Sequence, residues 1–223
     1  MVLKLYSGTV AGGGAGVVAL VLREKEIPFQ QVLVELSNKE HKTPEHLARH
    51  PFGQIPVIDD NGFVVYETRA ICRYLAEKYP SKGPKLLPGA SLEERTVFEQ
   101  ACSVEHDNFH PNVLKLFAEV FVKPRQGLEA DKTVVETVLT DFGTRLDVYE
   151  QILAKQEYLT GHDLSLVDFF HLTIMPAVEA AGIDIMMSET RPSVKRQFSR
   201  WWTALTSRPL WVELRADGIK STA

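Results

Sequence analysis

The chain has 223 residues, of which 44% are hydrophobic and 24% charged, so it can fill the cores of one large or two modest domains. A formal net charge of -4 and a pI near 6.0 exclude the broad basic surface on which non-specific nucleic-acid binding depends. No apolar run reaches the length of a membrane span, and the short N-terminal apolar stretch is broken by Lys4, so we expect neither a membrane segment nor a signal peptide.

The first eighty residues predict a mixed sheet with helices on both faces. Residues 2–6 and 29–34 have the pattern of strands, and residues 15–25 and 44–49 that of helices. With the hairpin and helix that follow, this order is typical of a thioredoxin-like α/β domain.

Several structural signals lie close together in residues 50–69, HPFGQIPVIDDNGFVVYETR. Asp60-Asn61-Gly62 is a tight hairpin signal between an apolar run and the returning strand 63–66. Glu67-Thr68-Arg69 then opens a helical pattern. Free N–H groups at a helix start attract an anion, Thr68 can add a hydroxyl, and Glu67 can bind an ammonium group. These residues predict a receptor for a free α-amino acid group; the alternative is an N-capping pair on an ordinary helix.

The prolines and glycines of residues 81–91 indicate a linker, and the remaining residues, 92–223, predict an all-helical domain. Helical stretches are expected at 92–122, 133–155 and 193–207. Ser165 and Asp168 form a capping box at the start of another helix, which we interpret as a folding signal. Cys72 and Cys102 lie in helical segments, so we expect buried thiols and a reducing, cytoplasmic location.

Three stretches make the chain resemble the cytosolic glutathione transferases, particularly the phi class: EHK at 40–42, HPFGQIPV at 50–57 and YETRAICRYLAEKYP at 66–80. The resemblance implies glutathione as co-substrate, no permanently bound cofactor, a homodimer, and an apolar electrophile or a peroxide as the second substrate. The glutathione-binding residues that it implies are His41 and Lys42 for the glycine carboxylate, Gln54 and Ile55 for the cysteinyl backbone, Glu67 and Thr68 for the γ-glutamyl end, and the adjoining Pro56 and Arg69. It also implies a cis Ile55–Pro56 bond and an electrophile pocket lined by Phe109, Val113 and Phe117.

The thiol activator is the point at which the sequence departs from the phi class. That class usually has a serine in the loop after the first strand, where this chain has Ala11 or Gly12. The expected substitute is the backbone N–H groups of Gly12 and Gly13 at the start of the first helix. The hydroxyls of Tyr6, Ser7 and Thr9 are the alternatives, because Tyr6 ends the first strand and the other two lie in the loop.

The sequence disfavours a nucleotide-binding site and a metal site. The glycine cluster lacks the third glycine of a dinucleotide fingerprint, and no Lys-Ser or Lys-Thr follows it as in a phosphate loop. Residues 105–110 hold metal-ligand types that do not share one helical face, so we expect no metal. The sequence therefore predicts a glutathione transferase. The alternative is a weakly catalytic or non-catalytic ligand-binding or interaction protein on the same scaffold.

Overall fold

The computed structural model describes residues 2–187 and 195–223, which fall into two compact units. The first unit comprises the chain up to residue 87 together with residues 208–223, and the second comprises residues 88–207. This division differs from the expected 92–223 helical domain, because the end of the chain packs with the N-terminal unit.

The first unit is built on a four-stranded mixed sheet. Its strands are β1 (Leu3–Ser7), β2 (Phe29–Leu33), β3 (Val57–Asp60) and β4 (Phe63–Tyr66), in the order β2-β1-β3-β4. β1 pairs parallel with β2 and antiparallel with β3, and β3 pairs antiparallel with β4. The β3–β4 turn has positive φ at both central residues, +57° and +92°, as an Asn-Gly hairpin requires.

The helices of this unit are α1 (Gly13–Glu24), α2 (Pro44–Arg49) and α3 (Thr68–Lys78), with a 3₁₀ turn at Glu40–Lys42. α1 and α3 pack against each other, and α2 lies against β4. The middle of α1 is entirely buried, as an unbroken apolar run predicts. The predicted thioredoxin-like order is confirmed.

The second unit is helical, as predicted. Its helices are α4 (Leu92–Val104), α5 (His110–Phe117), α6 (Lys123–Arg125), α7 (Lys132–Leu153), α8 (Leu166–Phe170), α9 (Met175–Ala180) and α10 (Lys195–Thr206). Two π-helical turns, Glu105–Phe109 and Ala118–Val122, join α4 to α5 and α5 to α6. The start of the predicted helix 193–207 lies outside the described residues.

Asp168 is a structural carboxylate in this unit. It is fully buried and accepts hydrogen bonds from the Trp201 indole N–H (2.8 Å) and from the backbone N–H of Leu159 (3.1 Å) and Ser165 (2.8 Å). Burial raises its pKa, against these hydrogen bonds. The predicted capping box with Ser165 is present and fixes the start of α8.

A further helix, α11 (Pro209–Asp217), belongs to the first unit. It packs on α1, and its Trp211 and Leu214 side chains are buried. Arg208 donates two hydrogen bonds, of 2.7 and 2.8 Å, to the Glu24 carboxylate near the end of α1. Among the described residues, no helix combines the length and apolarity that a membrane crossing demands.

Candidate functional site in the N-terminal unit

The site is organised around Gly14, in the first turn of α1. A Cβ atom on this residue would overlap Thr68 Oγ1 and would lie 3.1 Å from Thr68 Cβ and 3.2 Å from Pro56 Cδ. The first turns of α1 and α3 therefore lie side by side, next to the proline. Neither first turn contains an acidic residue, so the N–H groups and dipoles of two helices favour an anion at one place.

The segment before β3 forms one side of the place where the first turns of α1 and α3 favour an anion. The Ile55–Pro56 bond is cis, as expected from the sequence. Ile55 Cδ1 would lie 3.8 Å from a Cβ on Gly8, so this segment contacts the loop after β1. Gln54 is exposed and its backbone adjoins the cis bond.

Glu67 has an unusual backbone at the junction of β4 and α3. Its φ of +72° and ψ of 117° lie where non-glycine residues are strained, at a cost of about 1–3 kcal/mol. Its side chain is exposed and caps no helix N–H group, which excludes the capping role considered for it. Arg69 is half-buried in the first turn of α3. Strain held at an exposed carboxylate points to a binding role.

His41 and Lys42 lie beside the Gln54 segment. A Cβ on Gly53 would come within 2.6 Å of the His41 carbonyl oxygen and 2.9 Å of Lys42 Cδ, and Lys42 Nζ donates to the Phe52 carbonyl (2.9 Å). Burial, and then the charge of Lys42, lower the pKa of His41. The structure thus brings these two residues to the same segment as Gln54.

Two further histidines adjoin this segment and were not among the expected site residues. His46 is buried, and its Nε2–H donates to the Gln54 carbonyl (2.8 Å). His50 is also buried, with its ring 4.6 Å from that of Tyr66. Burial lowers the pKa of His50, against an opposing effect of Glu67. Their i, i+4 spacing is visible in the sequence and could have indicated that His46, in α2, and His50, directly after it, lie close together.

Two of the proposed thiol activators have other roles. Tyr6 is buried against Val34 and Val57, with the Arg49 guanidinium 4.6 Å from its ring centre. Ser7 is 0% exposed, and its hydroxyl accepts a hydrogen bond from Gln31 Nε2 (3.1 Å). Both side chains are packed within the unit, which favours Thr9 and the glycine backbone over them as thiol activators.

The glycine loop, residues 8–14, contains two further candidates for the thiol activator: the Thr9 hydroxyl and the backbone of Gly12 and Gly13. Thr9 is exposed. Gly12 is the N-cap of α1, with φ -110° and ψ 161°, and a Cβ on it would make only an ordinary 3.7 Å contact with Val10. Ala11, in contrast, is buried, so Gly12 is the position at which a side chain could face the helix start. Gly13 has a φ of +61° and open space around its missing side chain.

The three residues of the expected electrophile pocket differ in exposure in the helical unit. Phe109 and Val113 are each 1% exposed, and Phe109 packs against Phe142 (5.2 Å between ring centres) and His171 (4.4 Å). They belong to the core. Phe117 is half-buried and stacks on Phe121, so it alone of the three can line a substrate surface.

The metal-ligand types at residues 105–110 do not form a common site, although His110 Nδ1 lies 4.0 Å from a Glu105 carboxylate oxygen. Glu105 is completely buried, whereas His106 and Asp107 pair on the surface (3.0 Å). The Asn108 amide oxygen accepts from Arg145 (2.6 Å). Within residues 2–187 and 195–223, no group of three His, Cys, Asp or Glu side chains could hold a metal ion.

Comparison with known proteins gives consistent matches along the chain. Residues 1–77 match the family model of the glutathione S-transferase N-terminal domain, and residues 109–209 match that of the C-terminal domain. The chain is 42% identical to glutathione S-transferase hmp2 of Hypomyces subiculosus over 97% of this chain and 99% of that protein. It is 39% identical to glutathione S-transferase F10 of Arabidopsis thaliana, over 97% of both chains.

The fold has solved counterparts as well. Glutathione S-transferase I from maize, in complex with an atrazine glutathione conjugate, superposes with a TM-score of 0.85 and 30% identity over 97% of both chains. Sequence and structure therefore agree along almost the whole chain, and the chain belongs to the glutathione S-transferase family, as a phi-like member.

Proposed function

We propose that the N-terminal unit binds glutathione at the place where α1, α3 and the cis-proline segment meet. Glu67 binds the γ-glutamyl ammonium group, and the Thr68 hydroxyl with the first turn of α3 binds its carboxylate. The backbone of Gln54 and Ile55 pairs with the cysteinyl residue. His41 and Lys42 lie toward the glycine end, with Pro56 and Arg69 supporting the pocket.

The thiolate is stabilised by the N–H groups at the start of α1. A free thiol has a pKa of about 8.5, and lowering it by about two units takes roughly 2.7 kcal/mol of preferential stabilisation of the anion. Gly12 and Gly13 carry no side chain, so a sulfur atom can approach their N–H groups closely. Because Tyr6 and Ser7 are packed elsewhere, Thr9 is the hydroxyl alternative that stays open.

The reaction is attack of the glutathione thiolate on an electrophile. The thiol proton passes to solvent, the sulfur forms a bond to an electrophilic carbon, and the leaving group departs with its electron pair. The same thiolate can attack a peroxide oxygen: the O–O bond breaks, the alkoxide leaves and takes a proton, and the glutathione sulfenic acid condenses with a second glutathione to give the disulfide and water. A substrate panel containing both chlorinated aromatic compounds and organic hydroperoxides distinguishes conjugation from peroxide reduction.

The contact of Gly14 with both Thr68 and Pro56 carries the binding assignment. Glu67→Ala leaves the ammonium group without a partner, so glutathione affinity should fall by about 1–3 kcal/mol in calorimetry. Glu77→Ala, on the exposed face of the same helix, is the matched control and should bind normally. Unchanged glutathione affinity in the Glu67 variant would refute the assignment of Glu67 to the ammonium group.

A second candidate function is non-catalytic ligand binding on the same scaffold. The residue at the N-cap of α1 favours this second function, because Gly12 offers no hydroxyl to a bound thiol. The pKa of bound glutathione separates the two functions: a transferase lowers it, whereas a ligand-binding protein leaves it near its free value of about 8.5.

We also propose a homodimer in a reducing cytosol. Large apolar side chains are exposed on each unit. They are Phe52 (68%) and Phe63 (56%) on the first unit, and Val97 (46%) and Val148 (53%), beside a hollow of about 340 Å³, on the second. Such surfaces support an interface with a second copy. In sedimentation, Phe52→Ser should dissociate the dimer and Leu128→Ser, a control of similar exposure, should not. A monomeric wild type would contradict the dimer.

A further inference from the structure

The end of the chain contacts the glycine loop directly. The C-terminal tail, residues 218–223, follows α11 and reaches the loop at Thr9, whose carbonyl accepts a hydrogen bond from the Ile219 N–H at 2.7 Å. The Ile219 side chain is only 2% exposed, so this contact is packed within the first unit. The last residues of the chain thus touch the loop that is proposed to hold the thiolate.

Gly218 makes this approach possible. Its φ is +77°, and a Cβ on it would lie 2.5 Å from the Thr9 carbonyl oxygen. A residue with a side chain would therefore have to move the tail or the loop. Glycine is required here both by the backbone conformation and by the close contact.

The tail also connects to the loop through β2. The Ser221 hydroxyl accepts from the Gln31 N–H (2.9 Å), and the Gln31 side-chain amide donates to the Gly8 carbonyl (2.9 Å). Thr222 N–H donates to the Phe29 carbonyl (2.9 Å), so the tail lies along the edge strand β2. Two consecutive loop carbonyls, those of residues 8 and 9, are held by these contacts.

On the basis of the function proposed above, we propose that the C-terminal tail positions the glycine loop for thiol activation, with Gly218 and Ile219 as the positioning residues. They do not contact the sulfur themselves. They fix the carbonyl of Thr9, three residues before the N-cap of α1, and thereby the direction of the following N–H groups. Donors that are fixed in advance stabilise an anion better than donors that must reorganise.

The main test is Gly218→Ala, measured in the full-length protein. The bound glutathione thiol should titrate about one pKa unit higher, a tenfold loss of thiolate at a fixed pH below the pKa, as expected when one donor to the anion is misplaced. The kcat should fall in proportion, while glutathione affinity stays within about twofold because Glu67 and Thr68 are untouched. Gly127→Ala is the matched control, since Gly127 has a φ of +75° with nothing within 4 Å of its missing side chain.

A second variant ends the chain after Asp217, which leaves α11 complete. Hydrogen exchange of the ligand-free protein then reports on the loop without any reference to glutathione. Amide protection at residues 8–14 should fall in the truncated chain and in Gly218→Ala, and stay at the wild-type level in Gly127→Ala.

The outcomes are separable. Unchanged protection of the loop in both tail variants would overturn the proposal. Lost protection with an unchanged thiol pKa would also overturn it, because the tail would then stabilise the loop without any role in activation. A wild-type protein whose bound thiol titrates near its free value would instead refute the proposed function of the loop, with the exchange data still deciding whether the tail orders it.

Discussion

The contact between Gly14 and Thr68 makes a quantitative prediction about glutathione binding. A methyl group at residue 14 would overlap Thr68 Oγ1, so the hydroxyl must turn away or the helix starts must separate. Overpacking of this kind costs about 1–3 kcal/mol, and the better helix propensity of alanine returns about 1 kcal/mol. We therefore expect Gly14→Ala to reduce the free energy of unfolding by at most about 2 kcal/mol.

Glutathione binding should suffer more than stability does. Loss of a hydroxyl that donates to the glutathione carboxylate costs about 1.5–3 kcal/mol, so Gly14→Ala and Thr68→Ala should each weaken binding tenfold or more. Since both changes remove the same hydrogen bond, the double variant should bind no more weakly than either single one. Calorimetry and urea unfolding on the four proteins of this cycle measure both effects.

The control is Gly127→Ala, which introduces the same methyl group at a position with nothing within 4 Å of it. It should leave glutathione affinity close to that of the wild type. Losses of affinity that simply add in the double variant would show that Gly14 and Thr68 act independently, and the convergence of the two helix starts would be refuted.

Three more predictions follow from single side chains. Glu67→Gly relieves the strain at φ +72°, so its free energy of unfolding should rise by about 1 kcal/mol in urea while its glutathione affinity falls at least tenfold. Gly12→Ser should increase the conjugation rate, because a hydroxyl at the N-cap adds a donor for the thiolate. Burial alone would raise the pKa of Asp60, but hydrogen bonds from Lys78 and Tyr74 outweigh it and lower that pKa. The stability that the ionised form provides should therefore be present above the unfolded-state pKa of about 3.9 and be lost as the pH falls below it.

Each of these predictions has a contrary result. Equal stability of Glu67→Gly and wild type would show that the backbone at residue 67 is unstrained. A slower Gly12→Ser enzyme would show that the loop has no room for a donor there. For Asp60, the stability difference between wild type and Asp60→Asn should shrink toward acidic pH; a constant difference would mean that its charge contributes nothing.

The sequence predicted the first unit well because its signals are local. Asn61-Gly62 sets the hairpin through positive φ at both residues, and the run before β3 carries the cis proline. Glu67 and Thr68 are adjacent at the junction of β4 and α3, so a short sequence motif is enough to predict this junction. The placement of His41 and Lys42 beside Gly53 follows from the same short segment.

Sequence patterns carry little information where long-range packing decides the structure. Phe109 lies at the end of a π-helical turn and packs against Phe142 and His171, contacts that no local pattern indicates. α11 was missed because it packs on α1, almost 200 residues earlier in the chain, and Trp211 and Leu214 are buried in the folded unit. The tail contact with Thr9 depends on the same return of the chain and has no local signal.

The central claim is that the N–H groups of the glycine loop activate the thiol without a side-chain hydroxyl. The most direct measurement is the pH titration of thiolate absorbance for glutathione bound to the wild type and to Thr9→Ala. We predict a thiol pKa about two units below the free value of about 8.5, and the same value in the variant. A wild-type pKa near 8.5, or a low value that Thr9→Ala abolishes, would contradict the claim.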